Sequence, residues 1–334
     1  MSETAHHLLI PFASISSSVS LEAAAKYVQD LKLPHLRQLL STLSLVDSDV
    51  GTEESFSPPQ ERVLARAQGL PVVDGYIPWA AQKAFDLGLE GEQISAQTQP
   101  WSFVTLCHSV VGNGSMTMED PEQLQVSEAE SRQLLADMAP YFLEDGLTLH
   151  YLEPTLWLCR GEPLRGVRTA SLDRVIGQDL APWQPAQGEA AKLRRLQNEM
   201  QMLLYTHTVN DAKNHARAAA INSIWLHGTG ELTTIKPQVS TNIEASMTMP
   251  RSLADAALKE DWLAWVKAWE LLDATVCADL LKRAQAGKAV TLTLCGERSA
   301  LTYELRPKSG LERLKSSFRG ILGLQPAYLL PKQL

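Results

Sequence analysis

Strand-like and helix-like segments alternate at both ends of this chain, and that alternation constrains its fold more than any other feature. His7–Phe12 is short and apolar and predicts a buried first strand, and helical patterns follow it over residues 20–33 and 34–43. Towards the end of the sequence, Ala289–Cys295 and Ala300–Leu305 predict a hairpin. Strands separated by helices are typical of an α/β sheet with helices on its faces.

The middle of the chain has a different pattern, in which strands are joined by short turns. Trp101–Val111 alternates and is rich in β-branched residues, Gly112–Gly114 suits a tight turn, and Ser115–Met118 predicts the returning strand. Ile221–Leu226 predicts a further buried strand. We therefore predict an α+β insertion within an α/β core. The predicted core comprises residues 1–95 and 235–334, and the predicted inserted domain comprises residues 96–234.

Two other segments lead to definite predictions. Residues 46–59 are rich in Ser, Asp, Glu and Pro and have no apolar period, which predicts a loop. From Trp262 to Leu280, apolar residues recur at three- and four-residue steps, which predicts one helix that ends at Gly287.

Composition excludes several classes of function. The chain has 334 residues with 30 Lys and Arg against 38 Asp and Glu, a formal net charge of −8 that disfavours nucleic acid and anionic membranes as partners. The four cysteines form no CxxC pair, which argues against a disulfide framework or a zinc knuckle. No apolar run reaches the roughly 20 residues of a membrane-spanning helix. These features predict a reduced, cytoplasmic protein.

Two short motifs could carry chemistry. His207 and Asp211 are four residues apart, so one helical face could present both to a metal; the alternative is a polar helix end with a cationic imidazole and a turn-forming carboxylate. Gly228 and Gly230 follow a predicted strand, where backbone N–H groups could approach a phosphate, but a plain tight turn explains them equally well.

Two groups of basic residues could bind anions. Arg165, Arg168 and Arg174 lie close in sequence to Thr169 and Asp173, a set able to hold an anion by forked hydrogen bonds or to form a solvated loop with local ion pairs. The end of the chain is also basic. This segment could bind an acidic protein partner or a phosphorylated small molecule, or only balance the acidic remainder; its basic residues are Lys282, Arg283, Lys288, Arg298, Arg306, Lys308, Arg313, Lys315, Arg319 and Lys332.

Read in order, several of these motifs match one known family. Phe103–His108 with its glycine turn, Thr169–Gly177, His207–Asn210 and Asn222–Gly230 resemble segments of the insert domain of archaeal-type, cofactor-independent phosphoglycerate mutases. The segment Asn222-Ser-Ile-Trp-Leu-His-Gly-Thr-Gly230 is the most specific of them. The whole chain is similar to the RpfE-type regulatory proteins of proteobacteria, which are relatives of these mutases.

The resemblance implies an alkaline-phosphatase-like, three-layer α/β core with an inserted α+β domain. It also implies a site for two divalent metals, which such mutases use to activate a hydroxyl and neutralise phosphoryl charge. Here the metal-binding Asp-Gly-x-x-Asp opening is replaced by His7-Leu-Leu-Ile-Pro11, and the late Asp-His strand end by Cys295-Gly-Glu297. We therefore expect a non-catalytic protein without a metal or other cofactor.

Three hypotheses about the function follow. For a regulatory, ligand-binding protein, the residues expected to hold an anion are Arg168, Asp173, Arg174, Asn210, Asn222, Gly228 and Gly230. The alternative is an active phosphomutase or phosphatase with rebuilt metal ligation, drawn from His108, His207, Asp211, His215, His227 or Glu297. A third hypothesis is a protein-interaction scaffold whose basic end binds an acidic partner.

Overall fold

The computed structural model describes residues 6–14, 18–89, 99–112, 114–185, 188, 190–216, 218–232 and 247–305. Contacts divide the chain into two compact units, with residues 1–53, 58–68 and 238–334 in unit 1 and residues 54–57 and 69–237 in unit 2. The basic residues from Arg306 onwards lie outside the described residues. None of the described helices has the length and apolar character needed to cross a bilayer.

Unit 1 is an α/β structure. Its elements are β1 (His6–Ile10), α1 (Ser18–Val28), α2 (Pro34–Thr42), β2 (Ser44–Val50), α3 (Pro59–Ala67), β9 (Met247–Thr248), α9 (Ser252–Ala257), α10 (Trp262–Leu272), α11 (Ala278–Gln285), β10 (Val290–Cys295) and β11 (Ser299–Glu304). The strand order is β2-β11-β10-β1-β9, in which β1 is parallel to β9 and β10 and β11 is antiparallel to β10 and β2. The predicted α/β class is confirmed.

Helices cover both faces of this sheet because successive strand residues point to opposite sides. Leu8 and Ile10 pack into the larger core with residues of α2, α10 and α11, whereas Leu9 packs against Val63 of α3 on the other face. Trp265 and Trp269 anchor the larger core in an edge-to-face pair with ring centroids 6.2 Å apart.

Unit 2 is an α+β structure. Its elements are α4 (Trp79–Asp86), β3 (Trp101–Cys107), β4 (Ser109–Gly112), β5 (Ser115–Met118), α5 (Glu128–Glu144), β6 (Thr148–Glu153), β7 (Leu156–Arg160), α6 (Leu172–Val175), α7 (Ala191–Tyr205), α8 (Val209–Ala216) and β8 (Ser223–Gly230). An antiparallel sheet of order β6-β7-β3-β8 packs against α5 and α7, and β4 and β5 form the predicted hairpin.

Three local predictions differ from the structure. The predicted strand Trp101–Val111 is interrupted at His108, and the segment predicted to be a loop contains β2, whose polar residues lie at a sheet edge. α4 belongs to unit 2, because it packs against β3 and β8.

The predicted helix from Trp262 onwards is divided by a π-helical turn at Asp273–Cys277. Asp273 is buried, and its carboxylate accepts hydrogen bonds from the backbone N–H of Leu36 (2.7 Å) and of His35 (3.2 Å). It therefore caps α2, whose first residue is Pro34 and whose N-terminal N–H groups have no partner within the helix.

Candidate functional site

The carboxyl ends of three strands of unit 1 meet at one edge of its sheet. β1 runs parallel to β10, and β2 runs in the same direction because both β10 and β2 are antiparallel to β11. In register, Ala300 pairs with Cys295 on one side and with Asp49 on the other. Open α/β sheets bind ligands at this edge, and the family resemblance implies metal ligands there.

The residues at the ends of β1 and β10 do not fit a divalent metal. β1 is followed by Pro11, Phe12 and Ala13, and the backbone N–H of Ala13 donates to the carbonyl of Cys295 at 2.7 Å. Burial raises the pKa of the Cys295 thiol, so the thiolate that a metal requires is disfavoured.

A buried ion-pair network occupies the same edge at the end of β2. Arg62 of α3 donates to Oδ1 of Asp49 from Nε (2.8 Å) and from Nη2 (2.5 Å), and also to the carbonyl of Arg298 (2.8 Å). Arg66, one turn later in α3, pairs with Oδ2 of Asp49. Both oxygens of this carboxylate are therefore bound to guanidinium groups, which supply positive charge where metal cations would need negative ligands.

Gly51 makes room for this network. A Cβ atom at residue 51 would lie 2.6 Å from the Arg298 carbonyl oxygen and 2.7 Å from Nη2 of Arg62. The absence of a side chain at this position therefore lets the guanidinium reach the end of β2.

In unit 2, the predicted glycines are explained by close packing. Gly228 has φ +60°, and a Cβ atom there would lie 2.9 Å from the Phe103 ring. At Gly230 a Cβ atom would lie 2.7 Å from Cα of Pro78. These glycines allow the segment that begins α4 to lie directly against β8, which also continues through both of them instead of turning.

Replacing Gly230 by alanine should therefore destabilise the protein. The new methyl group meets backbone atoms, which cannot rotate away, so we expect a loss of about 2 kcal/mol in the free energy of unfolding. Chemical denaturation would measure it. Gly112→Ala is the matched control, because a Cβ atom at Gly112 meets nothing within 4 Å. Equal stability of the two variants would contradict the packing explanation.

The predicted arginines and Asp173 lie in local contacts. Arg168 donates to the Asp74 carboxylate (2.6 Å) and carbonyl (2.7 Å), and more than half of its side chain is exposed. The Arg174 guanidinium lies 5.8 Å from the centre of the Trp183 ring. Asp173 is in the first turn of α6, where its N–H donates to the side chain of Ser171. An anion-binding role for these residues stays a prediction.

Asn210 and Asn222 bind main chain with their amides. Asn210 donates to the carbonyls of Leu204 and Ile221 and accepts from the N–H of Ile221, each at 2.8 Å. Asn222 accepts from the N–H of Ser109 (2.7 Å) and donates to its carbonyl (2.8 Å). Both contacts organise the start of β8, and neither side chain lies at the strand's glycine end.

The residues predicted as possible metal ligands each contact a different group. His207 pairs with Asp137 at 3.0 Å, and its other ring nitrogen accepts from the N–H of Val209. His215 contacts the carbonyl of Asp211, and His108 contacts that of Ala220, both at 2.6 Å. Within the described ranges, no three His, Cys, Asp or Glu side chains are grouped so that they could hold a metal ion.

A buried chain of hydroxyl groups at the end of β8 was not anticipated from the sequence. Thr169 donates to Thr229 (2.9 Å), which donates to Ser102 (2.8 Å). Ser102 in turn is within 3.2 Å of the His227 carbonyl. These hydroxyls bind one another, so they stabilise the joint between β3, β8 and the segment before α6.

The His227 imidazole next to this chain is held neutral. Its Nε2 lies 2.8 Å from Oγ1 of Thr105, its ring packs on Phe103 with centroids 5.3 Å apart, and burial lowers its pKa to about 4. It is therefore suited to a structural hydrogen bond and poorly suited to proton transfer near neutral pH.

Lowering the pH should therefore lower the free energy of unfolding. From its usual pKa of 6.5 down to about 4, the unfolded chain binds a proton on His227 that the folded protein does not, so stability is lost as pH falls through that window. The half-buried imidazole of His7, whose pKa desolvation lowers to about 4, acts in the same direction. We expect His227→Gln to remove on the order of 2 kcal/mol of this pH dependence. Denaturation between pH 4.5 and 7 would measure it, and an acid response identical to that of the unsubstituted protein would contradict it.

The chain has distant structural neighbours among solved proteins. No family model and no curated protein matches the chain. Among solved structures, a cofactor-independent phosphoglycerate mutase from Thermoplasma acidophilum has a TM-score of 0.34 and 11% identity, and the alignment covers 90% of this chain and 89% of that one. A protein from Pyrococcus horikoshii has a TM-score of 0.39 and 12% identity over 93% and 90% of the two chains. At these values neither likeness indicates a shared activity.

Proposed function

We propose that this chain is a non-catalytic protein of the phosphoglycerate-mutase-like type that acts as a cytoplasmic regulatory, ligand-binding module of the RpfE type. One observation carries the proposal: at the carboxyl edge of the unit 1 sheet, Asp49 is bound by Arg62 and Arg66. Two-metal phosphoryl transfer needs several anionic or imidazole ligands around a reactive hydroxyl. Guanidinium groups offer no lone pair to a metal and repel a second cation.

The chemistry of the neighbouring strand ends supports the same conclusion. Cys295 is buried with a raised pKa, and the residues after β1 present a proline ring, a phenyl ring and a methyl group. A metal at this edge would have to displace a buried ion pair and deprotonate a buried thiol. Displacing the ion pair is costly, because it leaves buried guanidinium charge without its carboxylate partner.

Turnover measurements on the purified full chain test this proposal. We expect no interconversion of 3-phosphoglycerate and 2-phosphoglycerate and no hydrolysis of p-nitrophenyl phosphate above the rate without protein, whether or not Mn²⁺ is added. Turnover that requires Mn²⁺ and disappears with a chelator would overturn the proposal in favour of an enzyme with rebuilt metal ligation.

A further inference from the structure

Unit 2 contains an open groove of about 510 Å³, and none of the site residues predicted from the sequence lines it. Its walls are one face of α7, the β4–β5 hairpin, the segment around Asp179–Ala181 and the first residues of β8. Pockets for small molecules commonly have volumes of roughly 300–1,000 Å³, so the groove is large enough for a compact organic ligand.

The wall that α7 contributes is polar, because polar residues recur along the helix at a helical spacing. Arg194, Gln197, Asn198 and Gln201 stand at positions i, i+3, i+4 and i+7, which places them on one face of the helix. The apolar residues of α7 occupy another face and pack into the core of unit 2; they are Leu193, Leu196, Met200 and Leu204. The helix therefore has a buried apolar side and a separate polar side that lines the groove.

Arg194 is the charged group of this wall. In the part of the chain that the structure describes, its guanidinium has no acidic partner, whereas the adjacent Arg195 pairs with Asp145 and Glu199. The amides of Asn198 and Gln201 likewise make no hydrogen bond to a described residue. A half-buried guanidinium with five N–H donors and two neighbouring amides is equipped to bind a carboxylate or a similar oxyanion.

Other parts of the groove lining are apolar. Ile224 and Trp225 of β8 line it together with Leu180 and Met116. The hydroxyls of Ser109 and Ser223, which also line it, bond to each other at 2.7 Å and so present little unsatisfied polarity. Asp179 adds one carboxylate at the rim, and its Oδ1 accepts from the N–H of Ala181 at 3.2 Å.

We propose that this groove binds a small organic acid with an apolar or aromatic body. The acid group lies against Arg194, Asn198 and Gln201, and the body lies against Ile224, Trp225 and Leu180. This inference rests on the proposed function in one respect: it supplies the ligand site of a protein that binds its ligand without converting it.

An anionic fluorescent probe tests the inference on the full chain. 8-Anilinonaphthalene-1-sulfonate has an aromatic body and one negative charge, and its fluorescence increases when it binds. We expect Arg194→Gln to weaken its affinity about tenfold or more, as the loss of a charge-assisted hydrogen bond requires. Lys192→Gln removes one positive charge from an exposed position of the same helix and is the matched control, with an expected change of less than twofold.

A neutral probe separates anion recognition from a change in the shape of the groove. N-phenyl-1-naphthylamine has a similar aromatic body without charge, so its binding should be unaffected by Arg194→Gln. Unchanged sulfonate binding by Arg194→Gln, equal weakening by Lys192→Gln, or equal loss of both probes would overturn the inference. Metal-dependent turnover would contradict the proposed function while leaving an Arg194-dependent site intact, so the two failures are distinguishable.

Discussion

Replacing Asn210 by alanine should lower the free energy of unfolding by about 3 kcal/mol and the Tm by roughly 10 °C. The side chain is 3% exposed and makes hydrogen bonds to the carbonyls of Leu204 and Ile221 and to the N–H of Ile221. Alanine leaves the buried N–H and carbonyl of Ile221 without this partner, and each such group costs about 1–3 kcal/mol. The Leu204 carbonyl still accepts from the N–H of His207 at 3.2 Å. Calorimetry or denaturation of the purified variant would measure the loss.

The control removes the same chemical group from an exposed position. Asn198→Ala deletes an amide from the polar face of α7, where it bonds to no described residue, so its effect on unfolding should stay within about 0.5 kcal/mol. The stability of Asn210→Ala itself separates two roles for this residue. A stable Asn210→Ala protein with impaired anion binding would contradict the structural role and support the ligand role predicted from the sequence.

Replacing Arg62 by methionine should lower the free energy of unfolding by about 3 kcal/mol. The side chains of Arg62 and Asp49 are 9% and 8% exposed, and removing one partner of a buried pair leaves the other charge poorly compensated. The carbonyl of Arg298 also loses its guanidinium donor. Equilibrium denaturation of the variant would measure the effect.

Arg66→Met provides the matched comparison because Arg66 binds the same carboxylate from a more exposed position. Its side chain is 42% exposed, so water screens the interaction and we expect a loss below about 1 kcal/mol. Equal losses in the free energy of unfolding for the two substitutions would show that Arg62 does not stabilise this edge more than Arg66 does.

The sequence was most informative where one periodic pattern decides one element. β1, α2, the β4–β5 hairpin and the β10–β11 hairpin follow from alternation, a helical period or turn glycines. The strand β2 was missed because Asp47, Ser48 and Asp49 are polar. Its pairing with β11 depends on residues about 250 positions away, which no local pattern reports.

The candidate sites were harder to predict for the same reason. The pairing of Arg62 with Asp49 and with the Arg298 carbonyl depends on the packing of α3 against the sheet. The glycines of β8 were interpreted as a site of phosphate approach or as a tight turn, because their neighbour Pro78 is remote in sequence. The polar face of α7, by contrast, could be predicted from the sequence. Its residues recur at a helical spacing on the side away from the apolar stripe; they are Arg194, Gln197, Asn198 and Gln201.

Titration of the purified full chain with Mn²⁺, followed by electron paramagnetic resonance of the free ion, tests the central claim most directly. Because the carboxyl edge of the unit 1 sheet holds an arginine–aspartate network, the account predicts that the signal of free Mn²⁺ rises in proportion to the metal added, as it does in buffer. Loss of the signal until two ions per chain have been taken up, at micromolar concentrations, would contradict it.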